Sequence, residues 1–188
     1  MAKIQTKILA FCGSFRSGSL NKKLLLIACD ELKTQECEIN YLELKSLELP
    51  VYNGDDEDAL GLPAGAQKLI KALEEASAIL IATPEYNGSI PGGLKNAIDW
   101  ASRANKNPFK GKTIALIGTS SGWWGATRSI THLRASLTHL QAVVIPAQLA
   151  LPNGQENIKD SKLTQDVHAK QLKAVCTELV HFSEAFKA

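Results

Sequence analysis

Ile8–Cys12, Ile79–Ala82, Ile114–Ile117 and Ala142–Ile145 are compact apolar runs without a break. Runs of four or five apolar residues bounded by turn residues read as strands buried on both faces. A strand of that kind needs a layer on each side. The intervening sequence supplies those layers, because its apolar residues recur at helical spacing. Leu20, Leu24, Ala28 and Leu32 form one stripe. Ala66, Leu69, Ile70 and Leu73 form a second, with Pro63 placed to start the helix. Gly93–Trp100 is a short third helix, and Ile130, Leu133, Leu137 and Leu140 mark a fourth. Leu172, Val175, Leu179, Phe182 and Phe186 mark the last, with its cap expected near Asp160 or Ser161. Ile39–Leu44 alternates, with Asn40 and Glu43 inside it, and is expected to be a more exposed strand.

Strand and helix therefore alternate five times. Buried strands joined by helical crossovers make an α/β fold, a doubly wound five-stranded parallel sheet with helices on both faces. The flavodoxin-like order 2-1-3-4-5 puts the half-polar second strand at an edge, in keeping with its composition. No repeat, low-complexity tract or linker interrupts the pattern, so residues 1–188 are read as a single domain.

Composition narrows the function. The 21 Lys plus Arg nearly balance the 19 Asp plus Glu, for a net charge of +2. That is too even for binding nucleic acid by bulk charge, and it lacks the acidity of an electron carrier that docks by steering. Cys12, Cys29, Cys37 and Cys176 form no CxxC pair, and no histidine lies at a metal-ligand spacing from them. Neither a disulfide framework nor a metal site is expected; reduced thiols point to a cytoplasmic protein. The opening MAKIQTKILAFCGS holds only about five consecutive apolar residues, too few for a signal or a membrane span.

In doubly wound sheets ligands bind beyond the carboxyl ends of the strands, where the strand order reverses. Three loops fall there. The first, Gly13-Ser14-Phe15-Arg16-Ser17-Gly18-Ser19-Leu20-Asn21, follows a strand and opens a helix. A helix start offers unpaired N–H groups and partial positive charge, and three serines and an arginine add donors, so a phosphate is favoured over a plain capped turn. Ser19 stands where a nucleotide-hydrolysing loop needs lysine, and Phe15 breaks a dinucleotide fingerprint. A terminal monophosphate such as that of FMN suits the loop better. The second loop, Thr83-Pro84-Glu85-Tyr86-Asn87-Gly88-Ser89-Ile90-Pro91-Gly92-Gly93, is rigid and offers a flat aromatic and an amide to the edge of a planar ring. Lys95, Asn96, Asp99 and Trp100, in the helix after it, read as packing or subunit-contact residues. The third loop, Thr119-Ser120-Ser121-Gly122-Trp123-Trp124-Gly125, pairs small residues that admit a ring with adjacent tryptophans that lie off any periodic stripe.

GSFRSGSLN followed by TPEYNGSIPGGLKNAIDW resembles the NAD(P)H-dependent FMN reductases of flavodoxin-like fold, which include quinone, azo-compound and chromate reductases. The resemblance implies FMN-phosphate binding by Ser14, Arg16, Ser19 and Asn21, with Leu20 beside them. It implies flavin-ring contacts at Pro84, Glu85, Tyr86, Asn87 and Gly88, and at Ser120, Ser121 and Gly122. Many relatives carry a glycine-rich stretch where Trp123 and Trp124 stand here, which points to a narrower or more aromatic acceptor pocket. Family members are dimers or tetramers with the site near the subunit boundary, and Pro50-Val51-Tyr52 matches a turn directed at a neighbouring site. Tyr52, Trp123 and Trp124 are therefore candidate substrate residues. The implied reaction passes a hydride from NADPH or NADH through FMN to a small acceptor such as a quinone, azo compound, flavin or chromate. No catalytic side chain is required, because the cofactor carries the chemistry. His132, His139, His168 and His181 all fall in expected helices. The alternative is a flavodoxin-type electron carrier without nucleotide oxidase activity.

Overall fold

A computed structural model describes residues 5–186, so the first four residues of the amino-terminal reading and the last two of the domain span lie outside the described residues. Strands β1 (Lys7–Cys12), β2 (Glu38–Leu42), β3 (Ala78–Ala82), β4 (Thr113–Thr119) and β5 (Val143–Leu151) form one sheet in the order β2-β1-β3-β4-β5. Every neighbouring pair is parallel, as expected of the flavodoxin-like arrangement. The helices are α1 (Leu20–Lys33), α2 (Gly54–Leu60), α3 (Ala64–Glu75), α4 (Gly92–Ala101), α5 (Thr127–His139), α6 (Gly154–Asn157) and α7 (Asp166–Ala185), with a 3-10 turn at Leu44–Leu47.

The sheet separates two apolar layers. Successive residues of a strand point to opposite faces, so a strand covered on both sides must be apolar throughout. Ile8, Ala10, Leu80, Ala115 and Ile117 pack against Leu24, Leu25, Leu172, Val175 and Leu179 of α1 and α7. Leu9, Phe11, Ile79, Ile81, Ile114 and Leu116 pack against Leu69, Leu73, Leu94, Ile98, Leu133 and Leu137 of α3, α4 and α5. β3 and β4 are buried at every residue, whereas edge strand β2 alternates. Among the described residues, no helix is long and apolar enough to cross a membrane.

Three elements depart from the sequence expectations. β5 continues six residues beyond Ile145, through Pro146. The register jumps there, from Ile114 opposite Val144 to Leu116 opposite Gln148. An irregular edge-strand position accepts a proline, which has no N–H to give the ladder. Arg134 of α5 satisfies the local carbonyls, donating to Val144 O at 3.1 Å and Ile145 O at 2.8 Å. Second, α7 starts at Asp166, not near Asp160 or Ser161. Those two residues have φ of 47° and 58° and form the turn of a small hairpin, β6 (Ile158–Lys159) and β7 (Lys162–Leu163). A two-residue hairpin turn demands left-handed backbone at both central positions. Third, α2 has no buried residue and hence no apolar stripe to read. The Asn53 side chain caps it, accepting from Asp55 N–H, and Asp55, Asp56 and Glu57 oppose the helix dipole in its first turn.

Candidate functional site

The three loops converge beyond the carboxyl ends of β1, β3 and β4. Loop 1 begins at Gly13, whose N–H donates to Ala82 O at 2.8 Å. A Cβ at Gly13 would lie 2.7 Å from Leu94 Cδ2, so only glycine lets the chain turn that close to α4. Ser14 Oγ accepts the N–H of Arg16. Ser19 caps α1, its hydroxyl accepting Lys22 N–H at 3.2 Å. The N–H groups of Leu20 and Asn21, in the first turn, have no intrahelical acceptor, and the positive end of the helix dipole lies at the same place. Arg16 is exposed, and its guanidinium has no acidic partner among the described residues. The loop therefore collects positive charge and open donors without an anion of its own.

Loop 2 is held as a rigid bracket. Tyr86 and Ser89 exchange backbone hydrogen bonds of 3.1 and 3.0 Å across Asn87 and Gly88, which have φ of 50° and 73°. This is the two-residue turn that Asn-Gly favours, and it leaves Tyr86 45 % exposed at the cavity edge. Glu85 fastens the bracket to the start of α5. Its carboxylate accepts Arg128 N–H at 3.0 Å, Ser129 N–H at 3.4 Å and Arg128 Nε at 2.7 Å. Burial alone would raise the Glu85 pKa, but the hydrogen bonds from Arg128 and from the first N–H groups of α5 outweigh it and hold the carboxyl below its ordinary range. Thr83 Oγ1 adds a 2.8 Å contact to Ser129 Oγ.

Loop 3 is tied to loop 1 by one buried side chain. Asn21 Nδ2 donates to Thr119 O at 2.8 Å, and Thr119 N–H donates to Asn21 Oδ1 at 2.8 Å. The amide thus reads both backbone groups of the last residue of β4. Ser120 Oγ accepts Gly122 N–H and donates to Gly122 O, folding the loop back on itself.

Between the loops lies a cavity of about 310 Å³. It brings together Ser14, Arg16, Ser19, Leu20 and Asn21 from loop 1, Pro84, Glu85 and Tyr86 from loop 2, and Ser120 and Ser121 from loop 3. Gly18, Thr119 and Gln155 complete the lining. Asn87, Gly88 and Gly122 belong to the same loops but stand outside that lining: the first two form the turn tip, and Gly122 accepts Asn153 N–H at 3.0 Å. Asn21 lines the wall with its amide turned to Thr119, and the Glu85 carboxylate is turned to α5, so both act as braces.

The candidate substrate residues lie elsewhere. Tyr52 packs edge-on against Trp100 with centroids 5.0 Å apart, donates its hydroxyl to Glu57 Oε2 and lies beneath Arg103. Its backbone N–H donates to Asn96 Oδ1, and Trp100 Nε1 and Asn96 Nδ2 both donate to Pro50 O, so α4 serves packing as expected. Within one chain Tyr52 does not reach the cavity, because α2 and α4 hold it. Trp123 and Trp124 are 77 % and 68 % exposed and also lie outside the lining. His132 contacts Ser89 Oγ on the outer side of α5, and His139, His168 and His181 are likewise helical. The four cysteines are buried thiols; burial pushes Cys29 up to about 11. No group of three metal-ligating side chains converges among the described residues. Gln155 carries no local signal in the sequence, since a fold far from its neighbours brings it to the cavity.

The sequence profile of the NADPH-dependent FMN reductases matches residues 6–156, which include all three loops. The chain belongs to this family. It is an NAD(P)H-dependent FMN oxidoreductase by that membership. An NAD(P)H-dependent FMN reductase of Pseudomonas aeruginosa is 38 % identical over 156 residues, covering 83 % of this chain and 82 % of the relative. A quinone reductase of Escherichia coli is 32 % identical over 178 residues, covering 95 % and 94 %. Among solved structures, the flavoenzyme NAD(P)H:(acceptor) oxidoreductase FerB of Paracoccus denitrificans superimposes with a TM-score of 0.84 at 32 % identity, covering 96 % of this chain and 98 % of that one.

Proposed function

We propose that this cavity holds FMN through loop 1 and passes reducing equivalents from NADPH or NADH to a small acceptor, such as a quinone, azo compound, free flavin or chromate. The observation that carries the reading is the charge balance of loop 1. Arg16, the capped start of α1 and the hydroxyls of Ser14 and Ser19 face one cavity, and the only carboxylate on its wall among the described residues, Glu85, is spent on Arg128. A dianionic phosphate is the complement of that wall. The flat side of Tyr86 and the Pro84–Glu85 backbone suit the ring, and the small residues Ser120 and Ser121 leave room for it. When bound, FMN would supply the redox chemistry between nicotinamide and acceptor. The protein's share is orientation: Asn21 holds loops 1 and 3 at a fixed separation, and Glu85 fixes loop 2 against α5.

The same reading takes residues 1–188 as one flavodoxin-like domain working in the cytoplasm, supported by four buried thiols. It takes the protein as a homodimer or homotetramer. The support is exposed apolar surface in the segments that follow the strands: Val51 is 84 % and Leu60 83 % exposed after β2, and Trp123 and Trp124 are exposed after β4. Isolated surface apolar residues are common, but several large ones this exposed favour an interface. In such an assembly the Pro50–Tyr52 turn reaches a neighbouring cavity, and the tryptophans line the acceptor side. The deciding experiment is anaerobic stopped-flow mixing of the FMN-loaded protein with each nucleotide, then with candidate acceptors. Bleaching of the flavin by NADPH or NADH is expected; failure of both removes the proposal. Light scattering of the eluted protein tests the assembly, and a monomer mass would reject it.

A further inference from the structure

We propose that Gln155 is a ligand of the sugar-phosphate arm of the flavin, added to the cradle from the segment that follows β5. The inference rests on the reading of the cavity as an FMN site. Gln155 is the sole lining residue that comes from beyond β5, and its side-chain amide has no protein partner among the described residues. A free amide offers two donors and one acceptor, which match phosphate oxygens and ribityl hydroxyls without adding charge.

The backbone beneath Gln155 is built to a degree that an idle surface residue does not need. Gly154 N–H donates to Ser120 O at 2.8 Å. A Cβ at Gly154 would lie 2.4 Å from Thr119 Oγ1 and 3.3 Å from Leu20 Cδ1, so glycine lets this segment press directly onto the end of β4 and the first residue of α1. Asn153 enters with φ of 45° and donates its N–H to Gly122 O. Asn157, only 4 % exposed, locks the other side: Nδ2 donates to Pro152 O at 2.9 Å, and Oδ1 accepts from Gln165 Nε2 at 3.0 Å. The segment is therefore clipped at both ends, and residue 155 emerges next to the start of α1. That is the phosphate end of the cavity, whereas Pro84–Tyr86 and the side chains of Ser120 and Ser121 serve the ring, and the segment meets loop 3 through the backbone carbonyls of Ser120 and Gly122. Position thus assigns Gln155 to the arm and not to the ring.

The test is fluorescence-quench titration of the apoprotein with FMN, riboflavin and lumiflavin, for the wild type, Gln155→Ala and Gln155→Glu. One lost hydrogen bond to the arm weakens FMN about three- to tenfold in Gln155→Ala. A carboxylate in its place repels the phosphate, so Gln155→Glu weakens FMN by about tenfold or more while riboflavin changes less. Lumiflavin, which has the ring alone, keeps its affinity within about twofold in both variants. FMN affinity unchanged in both variants overturns the proposal, as does lumiflavin weakening in step with FMN. A wild-type apoprotein that binds none of the three overturns instead the reading of the cavity as an FMN site. Both substitutions are at an exposed position, and unchanged melting temperatures of the apoproteins check that the fold is intact.

Discussion

Asn21→Ala isolates the one side chain that joins the phosphate-side loop to the ring-side loop. In the wild type its amide makes two 2.8 Å hydrogen bonds with the backbone of Thr119, and Asn21 and Thr119 are 4 % and 1 % exposed. Removing it leaves a buried N–H and a buried C=O without partners. Each such orphan costs about 1–3 kcal/mol, and partial entry of water through the cavity keeps the sum near the lower half, about 3 kcal/mol. A domain of this length loses about 2–4 °C of Tm per kcal/mol, so the expected fall is about 6–12 °C. Asn21→Asp sharpens the argument. Its carboxylate still accepts from Thr119 N–H but opposes Thr119 O, so the folded state raises the Asp pKa. A raised carboxyl pKa destabilises while the group is charged, and the deficit shrinks as pH falls and the proton restores the donor. Differential scanning fluorimetry of both variants from neutral to mildly acidic pH reads both effects, each relative to wild type at the same pH. FMN affinity falls in both variants, because loops 1 and 3 are no longer held at one separation. A Tm for Asn21→Ala within about 2 °C of wild type would refute the bracing role.

Arg16→Ala removes the unneutralised cation of loop 1 and weakens FMN by about tenfold or more, with a smaller effect on riboflavin; titration of the apoprotein checks it, and unchanged FMN affinity together with an unchanged KM for NADPH rejects the assignment. Glu85→Gln destabilises the protein at neutral pH. Because the Glu85 carboxyl is held below its ordinary range, its contribution is full above the unfolded-state pKa of about 4.3 and is lost as pH falls through the lower folded value. The Tm gap between wild type and Glu85→Gln therefore closes in acid, and a gap constant down to strongly acidic pH contradicts the ion-pair origin. The four buried thiols react with a chromogenic disulfide reagent only after denaturation. Rapid reaction of any of them in the native protein contradicts the burial that holds Cys29 near 11.

What the sequence reveals here follows from where each residue's partners lie. β3 and β4 are covered on both faces, so burial alone writes them as unbroken apolar runs. β5 is written that way only as far as Ile145; beyond it Pro146 and Gln148 are exposed at the edge, and a strand half in water loses the signal. The cap of α7 is misread because Asp and Ser serve hairpin turns as well as helix starts, and Asp160 and Ser161, with left-handed backbone, do the former. Loop 1 is readable because phosphate chemistry is local: a glycine to turn, hydroxyls, an arginine and a helix start lie within nine consecutive residues, Gly13–Asn21. The role of each side chain within a loop is not local. Asn21 and Thr119 are 98 positions apart, and Glu85 lies 43 before Arg128, so neither brace is visible until the sheet brings them together. Gln155 is the limiting case. Its neighbours in sequence say nothing about a ligand, and only the contact of Gly154 with Thr119 and Leu20 carries it to the cavity. A substitution at Gly154 should therefore disturb the cofactor side of the protein from a position that no motif marks. In Gly154→Ala the added methyl must displace Thr119 or Leu20, so FMN affinity falls even though Gln155 itself is intact, and an unchanged affinity would mean that this segment yields without moving the wall.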